Sequence, residues 1–275
     1  MKSLSPARRD APSSRSPSAT ILALRAIAIG YLAVLLVVPV GMVFYRAFEK
    51  GFGTAWDAVT TPPAQHAFYL TCVIALVAVP ANAIFGVVTA WVLARYDFRG
   101  KRILDVLIDL PFAVSPVIVG LALILVWGRD GWFHATGVIF STPGMILATI
   151  FISLPFVVRE VLPVLEEEGT DQEEAASTLG ARGWQTFWRI TLPTIRWGLT
   201  YGVILSTARA IGEFGAVAVV SGKISGRTET LTLYVEDRFQ SLDLTGAYAA
   251  GVVLALLGVT VLTLMTLLQR RHQRT

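Results

Sequence analysis

The chain has little of what soluble enzymes use. Its one cysteine, Cys72, lies in an apolar run, so no intrachain disulfide and no cysteine metal cluster can form; a small buried hydrophobe is the expected role. The three histidines, His66, His134 and His272, are scattered and lack metal-ligand spacing. A phosphate-cradling glycine loop is missing too: Gly222-Lys223 is followed by Ile224 and lacks the upstream glycine, and Gly100-Lys101 fares no better. No catalytic site, no metal and no cofactor bound by this chain are therefore expected. Charged residues are only 15% of 275, against 54% hydrophobic, and the mean hydropathy of +0.63 is too high for a soluble domain. The formal charge of +4 raises the question of nucleic acid. The placement of the basic residues answers it in favour of a membrane.

What is present is a series of six apolar runs, residues 21–45, 67–94, 103–127, 137–158, 197–220 and 247–268, each able to cross roughly 30 Å of hydrocarbon. The expectation is an all-α integral membrane protein with six transmembrane helices, its membrane domain covering residues 21–268. Residues 1–20, rich in Ser, Pro and Arg, are expected to be a disordered tail, and residues 269–275 a short C-terminal one. Arg8-Arg9 suggests a twin-arginine export signal, but the run that follows is too long for a signal core and reads as a retained first span. Sixteen of the 23 basic residues fall on the side of the two termini and six on the other, with Arg209 inside a span. That bias predicts both termini, and the loop at 161–196, in the cytoplasm. Pro80 with Asn82, Pro111, Pro116, Pro143, Pro155, and Gly212 with Gly215 place helix breakers inside the runs, which suits a bundle containing a path better than a simple anchor.

Residues 173–193, EEAASTLGARGWQTFWRITLP, form the one long polar stretch between apolar runs. Thr170 and Glu173 have the spacing of a capping box, and Gly180 can adopt the left-handed conformation that closes a helix, so a short helix is predicted over residues 171–179. A second is predicted through residues 184–190. Ala175, Ala176 and Leu179 share a face of the first helix whose small side chains suit docking. Glu174-Ala175-Ala176, Gly180 after three residues, Ile190 after nine more, and then Leu192-Pro193 resemble the EAA signature of ABC importer permeases. The resemblance implies a type I ABC importer (MetI-like) permease fold. In that family the loop carries a coupling helix that docks on a cytoplasmic ATPase subunit, where ATP and Mg would be bound.

Arg209 and Glu213, four residues apart in the fifth run, are the unusual charges. An ionised residue at the centre of a lipid-facing helix costs about 2.5 to 3.5 kcal/mol on insertion scales, so both are expected to face the bundle interior. Two readings stand: a structural ion pair, or part of an ion path together with Gly212, Phe214 and Gly215. Residues 208–239, ARAIGEFGAVAVVSGKISGRTETLTLYVEDRF, are similar to the sulfate and molybdate branch of these permeases, and nearest to its second sulfate/thiosulfate permease subunit, the CysW type. That implies a sister T-type permease, two sulfate-transport ATPase subunits, a periplasmic sulfate/thiosulfate-binding protein, and a bacterial inner membrane. A molybdate or tungstate permease of the same branch is the alternative. A secondary transporter using Arg209 and Glu213, or a membrane enzyme, would need internal repeats or a catalytic cluster, and neither is visible.

Overall fold

The computed structural model describes residues 19–133 and 137–272, and their regular structure is helical throughout. The tail expected over residues 1–20 lies outside them, except for Ala19 and Thr20, which open the first helix. The described residues fall into two compact units, divided between Tyr45 and Arg46. The first holds most of α1 (Ala19–Phe48), whose described side chains from Ile21 to Met42 are all exposed. The second begins with the short α2 (Phe52–Val59). It continues through α3 (Pro62–Arg95), α4 (Lys101–Ala113), α5 (Pro116–Trp127) and α6 (Thr142–Glu168). Then come α7 (Asp171–Thr178), α8 (Gly183–Thr186), α9 (Leu192–Ile211), α10 (Gly215–Val220), α11 (Leu231–Gln240) and α12 (Leu244–His272).

Four helices, α1, α3, α6 and α12, contain stretches long and apolar enough to cross a membrane. Of the six expected spans, the described residues thus give four, or five if the bent third run counts as one; the fifth run does not qualify by length and hydropathy. The third run is α4 and α5, bent by 117° where Val114 and Ser115 leave the helix; Pro116 disfavours helical backbone at Ser115 and starts α5 at a position where its missing N–H costs nothing. The fifth run ends as α9 at Ile211 and resumes as α10 at Gly215. The two breaks abut: a Cβ on Gly215 would stand 2.8 Å from Pro116 Cβ. Pro80, Pro155 and Pro163, by contrast, sit within unbroken helices.

Helix α6 is the centre of the second unit, packed against both α3 and α9, which also meet each other. Small residues permit the approach: a Cβ on Gly202 would lie 2.9 Å from Val157 Cα, and one on Gly198 would lie 2.5 Å from the Glu160 carbonyl. One apolar cluster joins Leu70, Val119, Met145, Ile152, Val217 and Leu233. A second joins Leu93, Ile108, Val158, Leu165 and Ile195 near the loop that follows α6. Three fully buried polar side chains tie α3, α6 and α9 together, Asn82 Nδ2 donating to Ser153 Oγ at 2.7 Å and to Ser206 Oγ at 3.3 Å. Arg159 of α6 grips α4 through Asp109 and Asp105, with Nε to Asp109 Oδ1 at 2.7 Å.

Between α10 and α11, Thr228, Glu229 and Thr230 are buried, and Glu229 Oε2 has no hydrogen-bond partner. Burial pushes the Glu229 carboxyl above the ordinary carboxylate range, against a lowering hydrogen bond from Ser225. The folded chain therefore holds this proton to higher pH than the unfolded chain. The resulting stability is fullest below the ordinary carboxyl pKa and declines as pH rises through the raised value. Glu229→Gln, neutral at every pH, is expected to raise the melting temperature of the detergent-solubilised protein by about 2–4 °C at pH 8, with little change at pH 4. An equal effect at both pH values would contradict this reading.

Candidate coupling loop and buried ion pair

The predicted loop helix forms as α7, with Asp171, Glu173 and Glu174 in its first turn, where carboxylates oppose the helix dipole favourably. It closes at Gly180, whose φ of +83° is the left-handed conformation expected there, and the Ala181 N–H bonds back to the Ala176 carbonyl at 3.0 Å. The capping box between Thr170 and Glu173 does not form. Thr170 Oγ1 instead donates to Glu174 Oε1 at 2.7 Å, and Glu173 turns inward. There it meets Arg95 at the end of α3, with Nε to Oε2 at 3.0 Å and Nη2 to Oε1 at 3.3 Å. A two-pronged, charge-assisted pair outcompetes a single bond to a neighbouring amide.

The pair is wired to two more elements. Arg95 Nη1 donates to the Leu165 carbonyl near the end of α6 at 2.8 Å, and Thr191 Oγ1 donates to Glu173 Oε1 at 2.8 Å. The Arg95 and Glu173 side chains are only 9% and 19% exposed. Thr191 closes a π-helical stretch, Phe187–Thr191, that joins α8 to α9 without interruption. Pro193 lacks the N–H that would bond the Arg189 carbonyl, and its ring crowds that carbonyl, so the preceding turn widens. The second predicted helix is thus the start of α9 rather than a separate piece, opened by Gln185 Oε1 accepting the Arg182 N–H at 2.9 Å.

The motif residues divide by face. Glu174, Ala175, Leu179, Gly180 and Pro193 are exposed; Ala176, Ile190 and Leu192 are half-buried, Leu192 packing against the apolar cluster of α3 and α6. Leu179 is 89% exposed, and to a lesser degree so are the loop's Trp184 and Trp188, whose rings meet edge-on at 5.2 Å. Sequence reasoning missed Arg95 and Thr191 and misplaced Glu173. Arg95 was visible only as one more basic residue at a span end.

Arg209 and Glu213 do pair, Nη1 to Oε2 at 2.5 Å, but not across one continuous helix. Arg209 lies in the last turn of α9, where a cation suits the dipole, and Glu213 lies in the break. Glu213, 1% exposed at its side chain, also accepts the Ala216 N–H at 2.9 Å and so caps α10; its carbonyl accepts Thr232 Oγ1 at 2.8 Å from α11. Gly212 and Phe214 are exposed and Gly215 half-buried, so the break brings all five expected residues together. Cys72, half-buried, lines an apolar crevice rather than a closed core. The geometry separates charge from cap. Glu213→Gln keeps an acceptor for the Ala216 N–H, whereas Glu213→Leu leaves that N–H unpaired, at about 1–3 kcal/mol. Thermal unfolding is expected to show a larger loss for Leu than for Gln; equal losses would remove the capping role.

A family profile described as "Binding-protein-dependent transport system inner membrane component" matches residues 82–274. The sulfate transport system permease protein CysW of Synechocystis sp. is 52% identical over 252 residues, 90% of this chain and 91% of that one. The sulfate transport system permease protein CysT of Synechococcus elongatus is 38% identical over 250 residues, 89% and 90% of the two chains. In fold, the chain is similar to a permease chain in the crystal structure of a bacterial alginate ABC transporter in complex with an alginate pentasaccharide-bound periplasmic protein. There the TM-score is 0.78 at 17% identity, over 93% of this chain and 96% of that one. The loop, the broken spans and these likenesses agree: the chain belongs to the family of inner-membrane permease components of binding-protein-dependent ABC importers.

Proposed function

We propose that this chain is the permease subunit of an ATP-driven sulfate or thiosulfate importer in a bacterial inner membrane, with both termini and the α7 loop in the cytoplasm. The observation that carries the proposal is the two-sided loop: Glu173 is tied inward to Arg95, while Leu179, Trp184 and Trp188 stand exposed. An exposed apolar face on an anchored helix suits a protein groove, and a chain without a phosphate loop needs an ATPase from elsewhere. Two ATPase subunits, a sister permease of the T type and a periplasmic binding protein complete the proposed assembly. The sulfate assignment follows the 52% identical relative, which carries that name. Nothing favours molybdate or tungstate over it.

Within the membrane, Arg209 is the proposed contact for the oxyanion. Its side chain is 28% exposed while that of Glu213 is buried, so an arriving anion reaches the guanidinium first. Competition with Glu213 weakens its hold enough for release, which conduction requires. Glu213→Gln keeps the cap and removes the competitor, so sulfate is expected to stay bound longer and uptake to fall.

The tagged protein is expected to copurify a soluble ATPase and a second polytopic protein, and to support labelled-sulfate uptake in cells. Gly180→Val places a branched side chain at φ +83°, and is expected to cut uptake at least tenfold while membrane insertion remains normal. Normal uptake at normal expression would remove the docking role. Purification without any ATPase would remove the importer reading.

A further inference from the structure

The first loop of the chain carries an aromatic ladder that the transport mechanism does not use. Phe48, the last residue of the first apolar stretch, stacks on Phe52 with ring centroids 5.9 Å apart and planes 8° apart. Phe52 in turn stacks on Trp56 at 6.2 Å and 17°. The three rings are 40%, 68% and 57% exposed, so the ladder faces outward from the protein.

Helix α2 has three distinct sides. Ala55 is buried on the side that packs against α12, and Phe52 and Trp56 form the second side. Gly53, Thr54 and Asp57 form an exposed polar edge, with Thr54 Oγ1 bonded to the Lys50 carbonyl at 3.1 Å. Its depth follows from the chain. One membrane-crossing stretch ends at Phe48 and the next starts at Pro62, so α2 joins two spans at the same membrane face. Trp56 is two stacked rings from the end of the apolar stretch, and amphipathic rings near span ends are favoured at the headgroup level. Beside it, Trp56, Val59, Ala64, Phe68, Ala250 and Val253 line an apolar crevice of about 220 Å³.

We infer that α2 is an interfacial anchor, lying along the membrane surface with the Phe48, Phe52 and Trp56 ladder inserted at the boundary between lipid headgroups and acyl chains. The occupant of this face is lipid rather than a protein subunit, because the ladder starts at Phe48, the last residue of a stretch apolar enough to cross a membrane, and aromatic rings at the end of such a stretch favour the lipid headgroup region. The polar edge through Thr54 and Asp57 faces water. The crevice accepts the upper part of an acyl chain.

The test uses the whole transporter in vesicles of phosphatidylethanolamine and phosphatidylglycerol. Nitroxide labels are placed at Phe52→Cys or, separately, Asp57→Cys, in a Cys72→Ala background. Relaxation by oxygen, which partitions into lipid, is compared with relaxation by a water-soluble nickel chelate. The label at 52 is expected to favour oxygen several-fold over the chelate, and the label at 57 the reverse. A label at 52 as open to the chelate as the one at 57 would overturn the anchor. So would one shielded from both reagents, which would mean a protein partner covers the ladder. Trp56→Cys serves as the second label if Phe52→Cys does not assemble, with the same outcomes deciding.

Discussion

The contact between Arg95 and Glu173 is the interaction on which the working parts of this molecule depend. Without it α7 would be an eight-residue polar helix on a loop, far too short to hold its shape or direction by its own hydrogen bonds. With it, one guanidinium holds α3, α6 and α7 together, and Thr191 extends the link into the helix that continues as α9. The three helices that form the centre of the second unit, α3, α6 and α9, are the same three that receive the loop. On the proposed docking of an ATPase at the exposed face of α7, a force applied there would be delivered to packed helices and not absorbed in a hinge.

Beyond that joint the interior is held by close backbone packing and by buried hydrogen bonds. Gly198 and Gly202 bring α9 onto α6 at backbone contact, and Asn82, Ser153 and Ser206 fix the register of all three helices with hydrogen bonds that have no water to replace them. The bend between α4 and α5 and the break between α9 and α10 meet where Pro116 touches Gly215, so both interruptions fall in one place. Broken backbone inside a membrane persists only where protein or a polar path satisfies it, and Glu213 does part of this by capping α10. The residue that pairs with Arg209 is therefore also the residue that holds the break in shape.

Much of this was legible in the sequence, and the failures have physical causes. The end of the loop helix at Gly180 was legible because glycine takes the left-handed conformation at little cost. The breaks were announced by Pro116, Gly212 and Gly215. Pro80 and Pro155 looked equally disruptive, but α3 and α6, packed against each other and against α9, run on through them unbroken, and local sequence carries no record of neighbours. The capping box failed for the same reason. Glu173 had a local partner in Thr170 and a distant one in Arg95, 78 residues away, and only the fold could show that the distant one wins. Arg209 and Glu213 were paired correctly from their spacing, although the helix that justified the spacing stops before Glu213.

The central claim is that the ion pair transmits work, so the decisive measurement is the ratio of sulfate moved to ATP hydrolysed by the assembled transporter in vesicles, wild type against Arg95→Ala. Hydrogen bonds to charged groups are worth about 1.5–3 kcal/mol, which corresponds to roughly 10- to 100-fold. The account predicts that the ATPase still binds and still hydrolyses ATP, because the outward face of α7 is intact, while sulfate moved per ATP falls at least tenfold. An unchanged ratio with the ATPase bound would contradict it.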